Sequence, residues 1–161
     1  MCSDRRSLVQ RRVLQVQSRD KSECWTACAV QGYAYLSTFN SRAAYQHTAD
    51  LSIYLSEDVK GKGYGRKLCE LLFEIAKLQN IHRIISLITE ENTSSKIFHE
   101  KIGFICQGTL EKVGYKHDRW LNVSFYTKSL IDPCMPQSLN PLPQIKEKAQ
   151  ELLDQFNQNT N

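Results

Sequence analysis

Two hydrophobic periods alternate along the centre of the chain. Leu51-Ser52-Ile53-Tyr54-Leu55 places apolar residues at every second position, the pattern of a half-buried strand. Leu68, Leu71, Leu72, Ile75 and Ala76 then recur at helical spacing and predict an amphipathic helix running to about Gln79. Before this pair, Ala27 to Leu36 reads as a strand hinged at Gly32, and Asn40-Ser41 marks a turn. After it, Ile84 to Thr89 predicts a strand. Asn92-Thr93-Ser94-Ser95 supplies capping residues for a short helix that ends at Gly103. Phe104 to Gly108 reads as a strand, Glu111 to Trp120 as a loop, and Leu121 to Lys128 as the strand that closes the sheet. The ends are different. Residues 1–24 are polar and weakly patterned, with a short helix possible around Ser7 to Gln17. Pro133, Pro136, Pro141 and Pro143 mark a linker, after which Ile145, Ala149, Leu152, Leu153 and Phe156 form one helical stripe. The expected organisation is an N-terminal segment over residues 1–26, a domain over 27–131, and a linker with a tail helix over 132–161.

Composition narrows the class. A chain of 161 residues suits one domain with one core. Hydrophobic residues make up 41% of it, but no apolar run approaches the roughly 18 residues of a membrane span, so no membrane partner is expected. Arg5, Arg6, Arg11 and Arg12 are followed by no apolar stretch, so no secretory signal is expected, although an arginine-rich start also fits organelle targeting. The cysteines at positions 2, 24, 28, 69, 106 and 134 are scattered, and Cys24 and Cys28 lack the second pair that zinc spacing requires. Reduced thiols in a cytoplasmic protein, with no disulfide framework and no metal, are the expectation. The net charge of +4 is interspersed rather than gathered into an aromatic and basic stripe, so nucleic acid is not an expected partner.

Chemistry concentrates between the alternating strand and the long helix, at Val59-Lys60-Gly61-Lys62-Gly63-Tyr64-Gly65-Arg66. A glycine-rich turn entering a helix aims backbone N–H groups into one volume, where the helix N-terminus adds about half a positive charge. Such a turn fits a pyrophosphate. Lys60, Lys62, Arg66 and Lys67 cluster around it, though ordinary solvated cations would look the same. The turn matches neither G-x-x-x-x-G-K-[ST] nor G-x-G-x-x-G, so nucleotide-hydrolase and dinucleotide readings are poor.

Lys60-Gly61-Lys62-Gly63-Tyr64-Gly65 resembles the [Q/R]-x-x-G-x-[G/A] motif of the GCN5-related N-acetyltransferases (GNAT), with Lys in place of the first Gln or Arg. Asn92-x6-His99-x3-Gly103-Phe104 resembles that family's Asn-x6-[Tyr/His]-x3-Gly-Phe signature. Gly32-Tyr33-Ala34-Tyr35, Arg42-Ala43-Ala44-Tyr45, Ile53-Tyr54-Leu55-Ser56 and Gly114-Tyr115-Lys116-His117-Asp118-Arg119-Trp120 follow in an order that resembles the phosphinothricin and methionine sulfoximine branch. The resemblance covers about residues 27 to 130.

The resemblance implies an α/β (α+β) GNAT fold, a mixed and mostly antiparallel sheet with flanking helices. It implies direct transfer of acetyl from acetyl-CoA to the primary amine of a small amino acid or analogue. Gly61, Lys62, Gly63, Tyr64, Gly65 and Arg66 would hold the coenzyme pyrophosphate, and Asn92 its arm. The strand residues Ile53, Tyr54, Leu55 and Ser56 would hold the thioester, with a backbone N–H facing the developing oxyanion. His99 would protonate the departing thiolate, and Asp50, where the branch usually has Glu, would take the amine proton. Arg42 would pair with an acceptor carboxylate, with Ala43, Ala44, Tyr45 and His117 around the acceptor. Each of these has a plainer reading: Asn92 as a helix cap, His99 as a packing histidine, Asp50 as a strand-start carboxylate, Arg42 as a turn cation.

A homodimer is open by the same resemblance. Members of the family place a first strand, one or two helices and a second strand before the strand matched here by Ala27 to Leu36, which takes roughly 60 residues or more by ordinary element lengths. With about 26 preceding it, the first sheet strand, its helices and one acceptor wall are expected to be lacking. That leaves a coenzyme-binding pseudoenzyme, or an inactive fragment completed by a partner chain, as alternatives to an active enzyme.

Overall fold

The computed structural model describes residues 12–17, 30–132, 135 and 137–158. Six strands form one sheet: β1 (Arg12–Gln17), β2 (Val30–Thr38), β3 (Thr48–Leu55), β4 (Arg83–Thr89), β5 (Ile105–Lys116) and β6 (Arg119–Ser129). Their spatial order is β1-β2-β3-β4-β6-β5, and every neighbouring pair is antiparallel except β3 with β4. The helices are α1 (Tyr64–Leu78), α2 (Thr93–Lys101) and α3 (Lys146–Gln158). The one parallel pair follows from connectivity: α1 carries the chain from the end of β3 back to the start of β4, as a parallel pair requires.

The core lies between one face of the sheet and α1. The predicted stripe of α1 is buried, with Leu68, Leu72 and Ile75 essentially inaccessible. It meets Ala34 and Leu36 of β2, Ala49 and Leu51 of β3, and Ile84 and Ile88 of β4. The tail packs onto this layer. Ile145 and Ala149 are buried, and Leu152, Leu153 and Phe156 lie against the same cluster. The segment before α3 is pinned to the end of α1: Asn140 Nδ2 donates to the Leu78 carbonyl (2.9 Å) and Asn80 Nδ2 to the Ser138 carbonyl (2.6 Å). One of the helix's last carbonyls, which lack intrahelical partners, is thereby satisfied.

Three expectations are corrected. The sheet edge beside β2 is not bare, because β1 pairs with it across six residues of register. Val-rich Arg12–Gln17 is therefore a strand rather than part of a helix; the free N–H and C=O groups of β2 bond laterally only to an extended partner. The proposed helix residues 7–11, the stretch 18–29 with Cys24 and Cys28, and Pro133, Cys134 and Pro136 lie outside the described residues. The expected loop from Glu111 to Trp120 is instead a continuation of the β5–β6 hairpin. It closes through His117 and Asp118, both left-handed (φ 52° and 57°), as a two-residue hairpin turn with primed geometry needs.

Candidate active site

β3 and β4 pair over only three residues, Thr48–Asp50 against Arg83–Ile85, and then diverge. What points into the opening follows from strand alternation. The Leu51 carbonyl lies 3.4 Å from Ser86 Oγ of β4, so the backbone polar groups of Leu51 face β4. Ser56 N–H donates to the Gln31 carbonyl (2.8 Å), so Ser56 faces β2. The N–H and C=O of Ile53 and Leu55 therefore turn into the gap, where β4 has left them.

The gap opens into a groove of about 620 Å³, walled by Ile53, Tyr54 and Leu55, by the glycine turn, and by one face of α2. Its floor is the start of α1. The first helical bond runs from Lys67 N–H to the Gly63 carbonyl (3.1 Å), so the Tyr64, Gly65 and Arg66 amides precede the helical ladder. Gly63 caps the helix at φ 84°, a conformation that disfavours side chains, and a Cβ there would meet nothing within 4 Å. Gly65 serves packing instead: a Cβ would sit 2.9 Å from Leu55 Cδ1 and 3.3 Å from Phe98 Cε2, so those two side chains would have to give way. Open amides at a helix N-terminus, at the end of a groove with unpaired strand edges, fit an elongated ligand with a diphosphate at one end.

The groove gathers Ile53, Tyr54, Leu55, Gly61, Gly63, Gly65, Arg66 and Asn92 from the sequence-based set. Ser56, Lys62 and Tyr64 adjoin it in sequence without lining it. Asn92 caps α2, its Oδ1 accepting from Ser95 N–H (3.1 Å) and Ser94 Oγ (3.0 Å), while its Nδ2 remains as a donor toward the groove. Lys60, one of the cations read around the turn, also lines it, as do Ser95 and Phe98, which were missed. The signal was available, since Ser95 follows Asn92 and Phe98 follows Ser95 at three-residue steps, which makes each pair neighbours on the helix surface.

Other members of the set lie elsewhere, and His99 is the most deeply buried of them. It is 2% exposed and turned inward among Phe98, Phe104 and Tyr126. Its Nδ1 donates to the Ser95 carbonyl (2.8 Å), so Nε2 is the acceptor for Ser86 Oγ–H (2.9 Å). Burial holds its pKa below the ordinary value. Both nitrogens are occupied and neither faces the groove, so the packing reading fits this geometry. Arg42, Ala43, Ala44 and Tyr45 form an exposed turn before β3, with Tyr45 edge-on to Phe39. That turn adjoins Thr48, and Thr48 to Ile53 alone spans about 17 Å of strand. His117 sits exposed at the β5–β6 turn, beyond the last β4–β6 pair at Thr89 and Val123.

Asp50 stands where the strands part. It is partly buried on the face opposite α1, and desolvation pushes its carboxyl up to about 6. Cys69, in contrast, is buried in the core with its thiol raised to about 12, which makes it inert as a nucleophile. Among the described residues no three His, Cys, Asp or Glu side chains are grouped to hold a metal, and no helix is long and apolar enough to cross a membrane.

Residues 23–124 match the family model of the acetyltransferase (GNAT) domain. The chain is 32% identical to the L-amino acid N-acyltransferase MnaT of Escherichia coli (strain K12) over 110 residues, 68% of this chain and 64% of that protein. It is 31% identical over 116 residues to a phosphinothricin N-acetyltransferase of Streptomyces viridochromogenes, covering 72% of this chain and 63% of that protein. Among solved structures, a GNAT superfamily phosphinothricin acetyltransferase from Sinorhizobium meliloti in complex with AcCoA superposes with a TM-score of 0.64 at 34% identity, covering 73% of this chain and 64% of that one. The chain thus spans a little under two thirds of the length of these relatives.

Proposed function

This chain belongs to the GNAT acetyltransferase domain family, and from that premise we propose that it transfers acetyl from acetyl-CoA directly to the primary amine of a small amino-acid-like acceptor. The observation that carries the proposal is the parting of β3 from β4, which turns the Ile53 and Leu55 backbone groups into a groove ending on the open amides of α1. The residues present fit the coenzyme. The Tyr64, Gly65 and Arg66 amides would hold its pyrophosphate, Gly63 leaves room for the anion, and Asn92 Nδ2 would reach its arm.

In this reading Asp50 accepts the proton of the acceptor ammonium, which frees the amine to attack. The Ile53 N–H would donate to the thioester oxygen as the carbon–nitrogen bond forms and the carbon–sulfur bond breaks, with the second proton of the nitrogen passing to solvent. The sulfur leaves with the bonding pair and takes its proton from solvent, because His99 is sealed between Ser86 and Ser95. His99 instead fixes α2 against β4 and so shapes the groove wall. Arg42, Ala43, Ala44, Tyr45 and His117 belong to the acceptor side only if the acceptor extends along β3 or a second copy brings them near. We propose a homodimer and a cytoplasmic location on the same footing.

One observation favours a second reading, a coenzyme-binding pseudoenzyme: neither the expected acid nor the expected carboxylate clamp stands at the groove. Thiol release from acetyl-CoA, measured with methionine sulfoximine, phosphinothricin and a panel of amino acids beside a coenzyme titration, separates the two. Acceptor-dependent release supports the transferase; coenzyme binding with no release from any acceptor refutes it and supports the pseudoenzyme.

A further inference from the structure

The sequence Gly32-Tyr33-Ala34-Tyr35 has no role in the coenzyme groove, yet the sheet register gives it one. Tyr33 pairs with Tyr54, Tyr35 with Ser52, and Ser37 with Asp50. Ala34 and Leu36 between them face α1 and are buried. Tyr33, Tyr35, Tyr54 and Asp50 therefore share the opposite face, on which no helix lies among the described residues.

On that face the rings touch. Tyr33 and Tyr54 lie 5.0 Å apart between centroids at 29°, and Tyr33 and Tyr35 6.3 Å apart at 10°. Tyr54 is 54% exposed and also walls the coenzyme groove, so the ring surface begins where the thioester end of the groove would be. Asp50 is close enough to these rings to contribute to the raised pKa of Tyr54, together with desolvation and the other two tyrosines. The aromatic faces are electron-rich, the nearby carboxyl is acidic, and the one guanidinium expected to bind an acceptor, Arg42, is in an exposed turn beyond the start of β3.

An ammonium group is the chemistry these features suit. A cation over a tyrosine face is attracted by the ring quadrupole, most strongly where water is partly excluded. A carboxylate on the same surface would face Asp50 and three rings with negative faces.

Building on the transferase reading, we propose that the Tyr33–Tyr54 pair, backed by Tyr35, is the acceptor subsite and holds the acceptor by its ammonium and adjoining carbons. The acceptor class is then primary amines with a short apolar chain, whether or not they carry a carboxylate. Asp50, the group proposed to take its proton, lies on the same face four residues along β3 from Tyr54, with Tyr35 and Ser52 paired between them.

The test uses the full chain with coenzyme A present and two probes, methionine and methioninamide, which share an ammonium and differ in the carboxylate. Binding is followed by ligand-observed NMR, and thiol release from acetyl-CoA is measured separately. Methioninamide should bind within about threefold of methionine. Tyr33→Leu should weaken both by about tenfold, while Tyr33→Phe and Tyr33→Trp, which keep an aromatic face, should stay within twofold or tighten. Coenzyme affinity should be unchanged in all three, which also reports that they fold. The proposal is overturned if neither probe binds the wild type. It is overturned equally if methioninamide binds more than tenfold weaker than methionine, or if Tyr33→Leu binds both probes as the wild type does. Probe binding that follows this pattern with no thiol release would support the subsite and refute the transfer reading, so the two fail separately.

Discussion

Asp50→Asn separates stability from catalysis at one position. Asp50 is partly buried beside the point where β3 leaves β4, and desolvation raises its pKa from 3.8 to about 6. Between these values the folded protein binds a proton that the unfolded chain has released, so stability falls as pH rises through this window. At about 1.4 kcal/mol per pH unit the rise would amount to about 3 kcal/mol in a dry site, and solvent screening of the partly exposed carboxyl reduces it to about 1–2 kcal/mol, fully present below pH 4 and lost above pH 6. Asparagine resembles the protonated acid in shape and cannot ionise. The variant should therefore be more stable than wild type by about 1–2 kcal/mol at pH 7.5 and indistinguishable from it near pH 4. Urea unfolding of both proteins across this range gives the difference directly, and other titrating groups cancel in it. If Asp50 is the base, wild-type kcat/KM for thiol release should rise about tenfold per pH unit below 6 and level off above it. The variant should lose most of that activity while coenzyme affinity is kept. An Asn variant no more stable at pH 7.5, or one with full activity and the same pH profile, would refute the reasoning.

Gly63→Val puts a β-branched residue at φ 84° over the start of α1, and coenzyme affinity measured by calorimetry should fall more than tenfold. His99→Ala removes the nearer of the two partners of Ser86 Oγ, leaving the Leu51 carbonyl at 3.4 Å, and opens a cavity, so unfolding free energy should drop by about 2–4 kcal/mol with coenzyme affinity retained. Its acid sensitivity has a definite sign: the His99 pKa is lowered on folding, so its contribution is present above the ordinary histidine value and lost as pH falls below it. Glu90, held near pKa 2 by hydrogen bonds from Lys96 and Ser124, behaves likewise at lower pH. Glu90→Gln should lower the melting temperature at pH 7 and leave it unchanged near pH 2. Ile145→Ala should cost about 2–4 kcal/mol in urea unfolding, because Ile145 is 7% exposed within the core formed with α1.

The sequence was most readable where one physical requirement dominated. The α1 stripe had to face a sheet, so Leu68, Leu72 and Ile75 could be placed by period alone, and the glycine turn could be placed because left-handed backbone at Gly61 and Gly63 admits few other residues. It was least readable where pairing decided the outcome. His117-Asp118 is not the Asn-Gly that announces a tight hairpin, so the β5–β6 ribbon looked like a loop until the register from Lys116–Arg119 inward was seen. Arg12–Gln17 likewise acquires strand character from the open edge of β2 rather than from its own alternation. The site divides along the same line. Gly63 and Asn92 stand in turns and caps whose local geometry the sequence encodes. His99 matched a signature by spacing, but spacing does not say which side of α2 meets the sheet. His99 stands one turn after Ser95 on the same side of α2, bonds back to the Ser95 carbonyl, and folds its ring inward among Phe98, Phe104 and Tyr126 to meet Ser86 of β4. The inward contacts by which His99 fixes α2 to β4 also occupy both of its nitrogens, which is why the proposed proton transfer is assigned to Asp50 and solvent.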